Sequence, residues 1–228
     1  MPVQFTFFGH AACQLEIDGY IVLVDPWLTD NPQSTIKADA VNADFILVTH
    51  GHADHIGDAA EIAKRTGALC IGNTEIINWL CARGAAVSVL EVGGGCHQPF
   101  GYVKMTNALH GSSLPDGSYG GHAGGYLITC TEGTTIYIAG DTGLCMEMQL
   151  YGDEGIDLAV LPIGDVGTMG PDDALRAVKL LRPGVTIPVH YNTWPSIVQN
   201  VETWVRRVND ETESEAVILE PGETFTLK

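Results

Sequence analysis

Apolar and polar positions alternate at the start of the chain. VQFTFFG and CQLEIDGYIVLVDPW read as strands, joined by a turn at Asp18-Gly19. FILV (45–48) is a continuous apolar run, the pattern of a strand buried on both faces. The period then changes. DAAEIAKRTG repeats apolar residues at Ala59, Ile62 and Ala63 and stops at Gly67, which predicts a helix. ALCIG is a further strand. TEIINWLCARG predicts a helix with Thr74 as its N-cap and Gly84 as its stop.

The second half repeats this order. GYVKMTNAL, GGYLITCTEGTTIYIAG and IDLAVLPIG read as strands, with a hairpin at Glu132-Gly133. PDDALRAVKLLRP carries Ala174, Leu175, Val178 and Leu181 on one helical stripe, and VTIPVH follows as a strand. PSIVQNVETWVRRV predicts one helix with Pro195 near its start and Val198, Val201, Val205 and Val208 on a common face. EAVILEPGETFTL closes the chain as a hairpin-like pair. Two halves of this kind pack sheet against sheet with helices outside, giving an α/β fold, a four-layer αββα sandwich, in one domain over residues 1–228. Segments 43–55 and 155–167 are counterparts under an internal pseudo-two-fold: each is a strand ending in a polar, glycine-containing loop.

Composition narrows the function classes. The 228 residues include 28 acidic and 11 basic side chains, a formal charge of −17. Such a surface repels nucleic acid and anionic membrane, so a small-molecule substrate is expected rather than either. No apolar run reaches the ~18 residues of a membrane span, and MPVQFTFFGH lacks the basic start of a signal peptide. Six scattered cysteines without a CxxC read as reduced thiols, which places the protein in the cytoplasm. Assembly into a homo-oligomer stays open.

The chemistry begins after FILV. VTHGHADHIGD puts His50, His52, Asp54 and His55 within six positions. Residues 50 and 52 point the same way in extended chain. Imidazole is the commonest metal ligand and a carboxylate neutralises charge. Four such residues exceed what one tetrahedral site takes from one loop, so they point to two adjacent metals. Three later strand ends offer more: His110 in ALHG, Asp141 in IAGDTG and His190 in PVHYN. Five histidines and two aspartates complete a two-metal inventory.

In this order, HxHxDH, His, GDTG and a late His resemble the metallo-β-lactamase superfamily. GGYLI, IYIAGDTGL, LPIGD, TMGPDDALRAV and IPVHYNTWP resemble its compact metal-dependent hydrolases, related to ascorbate 6-phosphate lactonase. The resemblance runs from His10 to Asn192. It implies the metallo-β-lactamase fold, with His50, His52 and His110 on one metal, Asp54, His55 and His190 on the other, and Asp141 bridging. It also implies two divalent ions, with zinc the default and manganese, iron or nickel as alternatives. His52 stands where the oxygen-reducing di-iron branch has a carboxylate, which favours hydrolysis. The implied enzyme activates water against a lactone, ester or phosphodiester, with Asp54 orienting the nucleophile and accepting its proton.

Other residues carry split readings. Asp25, in LVDPWL, either hydrogen-bonds a ligand imidazole from behind or serves its own turn. His10 is read as a catalytic or ligand-contacting residue, with a structural histidine as the other option. His122, in GGHAGG, is a candidate general acid or oxyanion donor. Asp165, Thr168, Tyr191, Asn192 and Trp194 are candidates for the pocket wall. The competing functions are a nucleic-acid phosphodiesterase or nuclease, and a metal-binding protein without turnover.

Overall fold

A computed structural model describes residues 2–227. The chain opens with β1 (Gln4–Gly9), β2 (Ala12–Ile17) and β3 (Tyr20–Val24), an antiparallel meander. Asp18 and Gly19 both have positive φ, 51° and 85°, as a two-residue hairpin turn requires. Then come β4 (Phe45–Leu47), α1 (Ala53–Ile56), α2 (Ala59–Thr66), β5 (Leu69–Gly72), α3 (Thr74–Cys81) and β6 (Ala86–Val89). From β3 to β6 all pairings are parallel. The second half starts with β7 (Gly95–Gln98), β8 (Gly101–Asn107), β9 (Gly124–Cys130) and β10 (Thr135–Ile138), again antiparallel. It continues through α4 (Glu147–Gly152), β11 (Leu158–Pro162), α5 (Pro171–Leu181), β12 (Val185–Val189), α6 (Val201–Glu211) and β13 (Glu215–Ala216). From β10 to β13 the pairings are parallel. Finally β14 (Thr224–Thr226) returns to the first sheet beside β1.

The sheet orders are β14-β1-β2-β3-β4-β5-β6 and β7-β8-β9-β10-β11-β12-β13. Each position of the first corresponds to one of the second, with β4 matching β11. This topological repeat pairs the same two strand-and-loop segments that the sequence pairs.

Alternation along the strands builds the layers. Val22, Val24, Phe45 and Leu47 face a common core with Leu158 and Val160 from the other sheet. Leu23, Ile46 and Val48 point outward, against Ile62 and Ala63 of α2 and Ile76 and Leu80 of α3. Ala159 and Leu161 do the same toward Leu175 and Val178 of α5 and Trp204 of α6. The result is the expected α/β/β/α order, with the FILV strand buried on both faces. Tyr126 of β9 joins the sheets: its hydroxyl lies 2.7 Å from Val48 O and 3.0 Å from Ile71 O.

Three local expectations change. The α3 cap is Asn73, whose side chain accepts from Ile76 N, and Thr74 is the first helical residue. The segment from Pro195 is not one helix. A 3-10 turn at Pro195–Ile197 ends in extended Val198, and α6 starts afresh behind Asn200, which accepts from Thr203 N. That capping bond satisfies a helix-start donor that a continuous helix would have left to the backbone, and Val198 is left exposed. The C-terminal pair is not a hairpin, because β13 pairs with β12 and β14 with β1, in different sheets. Each extends its sheet by one strand and becomes its edge.

Candidate metal centre

β1, β3, β4, β8, β10 and β12 all end at the same edge of the sandwich. Within each sheet the parallel pairings and the two antiparallel steps of the meander give these strands one direction, and the contacts of Asp141 with His50 and His55 bring the two sets of ends together. The segments after these strands carry His10, Asp25, the 50–55 loop, His110, Asp141 and His190. Carboxyl ends of strands are where α/β proteins gather chemistry. His10, Asp25 and His190 have φ of 57°, 46° and 55°. Non-glycine residues in the left-handed region are uncommon and cluster at functional sites.

Two groups of nitrogens and oxygens converge. In the first, His52 Nδ1 lies 3.0 Å from His50 Nε2 and 3.2 Å from His110 Nε2. One nitrogen cannot satisfy two others with a single proton, whereas a cation satisfies all three lone pairs. In the second, His10, Asp54, His55 and His190 each offer an atom within 4.8 Å of the rest. Asp141 lies between the groups. Its Oδ2 is 3.0 Å from His190 Nε2, 3.3 Å from His55 Nε2, 3.5 Å from His110 Nε2 and 3.9 Å from His50 Nε2. His55 Nε2, His190 Nδ1 and Asp141 Oδ1 are buried without a hydrogen-bond partner. Such atoms ask for a ligand, and an imidazole and carboxylate donor set suits a divalent metal. Among the described residues, no group able to hold a metal contains a cysteine.

Asp25 lies against His50 and His55, one histidine from each group. Its Oδ1 accepts from Thr49 N at 2.8 Å, and its Oδ2 accepts from Thr49 Oγ1 at 2.6 Å and His55 Nδ1 at 2.8 Å. Both oxygens are thereby engaged, so Asp25 orients His55 although it also lies close enough to His50 and His55 to be counted with them. The turn itself uses the Asp25 carbonyl, which accepts from Trp27 N.

His10 is fully buried. Its ring packs 4.0 Å from that of His190 and 4.8 Å from that of Trp194, with Trp27 at 5.2 Å. Nε2 meets Asp54 Oδ2 at 3.1 Å and Nδ1 meets Thr193 Oγ1 at 2.7 Å. Its backbone is also held: its N–H donates to Gln33 Oε1 and its carbonyl accepts from His190 N.

Charge states follow from these surroundings. Burial holds the His10 imidazole down at about 4, so neutral Nε2–H donates to Asp54. Burial opposes charge on Asp54, but the His10 hydrogen bond together with the neighbouring His55 and His10 imidazoles outweighs it and holds the carboxyl below its usual range. Burial likewise keeps His50 well below the usual histidine value. His55 goes the other way: burial opposes its charge, yet Asp141 and Asp25 raise it well above normal. Burial also opposes charge on Asp141, and His55 and His190 still hold it well below the carboxylate range.

Asp54, His52 and His110 form the more accessible side, while His50, His55, Asp141 and His190 are buried. His122 lies outside this assembly. It is exposed, its carbonyl accepts from Asn73 Nδ2, and among the described residues its ring makes none of the contacts that join the histidines of the centre. Trp194 reaches the centre through His10, whereas Asn192 accepts from Gln199 N and Tyr191 is buried. Asp165 has φ 65° and accepts from Val166 N; two residues on, a side chain at Gly167 would lie 3.8 Å from His110. Thr168 donates its N–H to Asp165 O within the same loop. Trp27, Gln33, Thr49 and Thr193 are the positions that sequence reasoning missed. Thr49 alone had a signal, its place between the strand and His50.

Fold and site define a class, and comparison with known proteins agrees. Residues 20–191 match the model of the beta-lactamase superfamily domain. The chain belongs to that superfamily and, within it, to the UPF0173 metal-dependent hydrolase family. A member from Heliobacterium modesticaldum is 46% identical over 233 residues, covering 99% of this chain and 98% of its own. Igni18, described as a novel metallo hydrolase from Ignicoccus hospitalis, is 37% identical with a TM-score of 0.91, covering 100% of this chain and 99% of its own. CmlA, a diiron beta-hydroxylase from Streptomyces venezuelae, is 16% identical with a TM-score of 0.75, covering 99% of this chain and 54% of its own. That last likeness is one of fold alone, and a shared fold does not carry a reaction. Among the described residues no helix is long and apolar enough to cross a membrane.

Proposed function

We propose that the protein is a hydrolase with a two-metal centre acting on a small-molecule lactone, ester or phosphodiester. The observation that carries the reading is Asp141 Oδ2, within 3.9 Å of imidazole nitrogens from both groups. A carboxylate so placed could serve both cations. His50, His52 and His110 would hold one cation and Asp54, His55 and His190 the other, with zinc as the default and manganese, iron or nickel as alternatives. Bound divalent cations supply acidified water, with a pKa near ~7, and neutralise charge that develops on the substrate.

The chain's own residues do the rest. Asp25 holds the His55 ring so that Nε2 faces Asp141. His10 donates to Asp54 Oδ2 and so fixes the carboxylate that would orient water and take its proton. The names of the relatives support hydrolysis. The net charge of −17 supports a small molecule over a nucleic acid, and the cytoplasm is the compartment proposed for the reduced cysteines. The test joins elemental analysis of the purified protein to a panel of lactones, esters and phosphodiesters. Wild type is expected to retain two metals per chain and turn over at least one class, and His52→Ala to lose that rate. A rate that survives His52→Ala sinks the assignment, and a metal-loaded protein that turns over nothing is a binding protein.

A further inference from the structure

A cavity of about 410 Å³ opens beside His52. Its remaining wall comes from one loop, with Ser112, Ser113, Ser118 and Tyr119 set among glycines. Ser113 and Tyr119 face each other across an antiparallel bridge, so their side chains project on the same face. Ser112 Oγ is committed to Gly51 N and Gly120 O, and Ser118 Oγ to Asp116. Among the described residues the Ser113 and Tyr119 hydroxyls carry no such commitment, and both residues are exposed.

The cavity also lacks a cation. No Lys or Arg occurs between Met105 and Leu175, the stretch that supplies His110, Asp141 and this whole loop. Arg83 approaches the loop, but its guanidinium lies 3.3 Å over the Trp79 ring and 4.0 Å from Asp116. The carboxylate beside the loop is Asp116, which accepts from Ser118. A phosphate or carboxylate held away from the metals needs charge-assisted partners. Here it would meet hydroxyls, a nearby carboxylate and the field of a strongly acidic chain.

We infer that the part of the substrate remote from the cleaved bond is uncharged and bears hydroxyl or similar polar groups, held by Ser113 and Tyr119. The substrate class is neutral hydroxylated lactones and esters. Water adds across the acyl C–O bond, its OH going to the acyl carbon and its proton to the leaving oxygen. The inference rests on the hydrolase reading above.

Two matched pairs test it with metal-loaded protein: a sugar lactone against its 6-phosphate, and an aryl hexanoate against the aryl monoester of adipic acid. In whichever pair turns over, kcat/KM is expected to favour the neutral member by about tenfold or more, and Ser113→Lys to narrow that ratio by about tenfold, the worth of one charge-assisted hydrogen bond. Position 113 is exposed, so the variant tests charge rather than folding. Equal or better use of the charged member by wild type overturns the inference while hydrolysis stands. A ratio unmoved by Ser113→Lys overturns the assignment of this cavity. Turnover of a phosphodiester but of none of the four compounds overturns the inference while hydrolysis stands, and no turnover of any compound, phosphodiesters included, removes both.

Discussion

Asp25→Asn replaces one oxygen by nitrogen in a buried network, and its effect can be worked through. The carboxylate accepts three hydrogen bonds, two from Thr49 and one from His55 Nδ1, at 2.6 to 2.8 Å. An asparagine has one accepting oxygen. With the oxygen toward His55, its NH2 faces the Thr49 N–H, donor against donor. With the amide turned over, the NH2 faces His55 Nδ1. The imidazole can then accept only by moving its proton to Nε2, the atom that faces Asp141 and that the metal would need. Losing a buried hydrogen bond to a charged group costs about 1.5–3 kcal/mol. Removing the partner that orients a ligand imidazole typically weakens metal affinity by about 10–100-fold. Two assays separate these effects: urea unfolding with chelator present, and zinc competition against a chromophoric chelator. The expected outcome is a loss in both. Zinc affinity within about threefold of wild type, measured on folded variant, would refute the claim that Asp25 sets the state of His55.

Three further outcomes are expected. Asp141→Asn removes the charge that both groups share, so metal affinity should fall at both by at least about tenfold; a variant that keeps two metals at wild-type affinity shows that Asp141 does not bridge. His10 is neutral in the folded metal-free protein down to about pH 4 but takes up a proton on unfolding below 6.5. Its folded pKa is lowered, so stability is lost as pH falls through that window, by about 3 kcal/mol in all. His10→Gln should flatten the stability curve there in chelator, and parallel curves for variant and wild type contradict this. Tyr126→Phe removes the hydroxyl that joins the sheets under the 50–55 loop; urea unfolding should show a loss of about 1–2 kcal/mol, and an unchanged midpoint would make that contact irrelevant to stability.

Legibility in the sequence followed the range of the interactions involved. The FILV run, the Asp18-Gly19 turn, the Gly67 stop and the stripe on α5 depend on neighbours within a few residues, and each stands in the structure as its pattern predicts. The break after Ile197 was not legible, because valines at 198, 201, 205 and 208 fit a helix equally well until Asn200 claims the cap. Nor were the partners of β13 and β14, since an apolar alternation does not say which sheet edge it will complete.

The same division holds at the centre. Residue type and spacing in THGHADH, with the later His110, Asp141 and His190, determined by themselves that side chains able to ligate a metal end several strands. Only the tertiary structure decided that these ends share one edge, that Asp141 stands between the two groups, and that His10 belongs beside Asp54 while His122 stays outside. Local pattern sets which chemistry a strand end offers. Which ends meet is set by strand direction and sheet order, and those are fixed by burying both sheets' inner faces together, across segments more than a hundred residues apart.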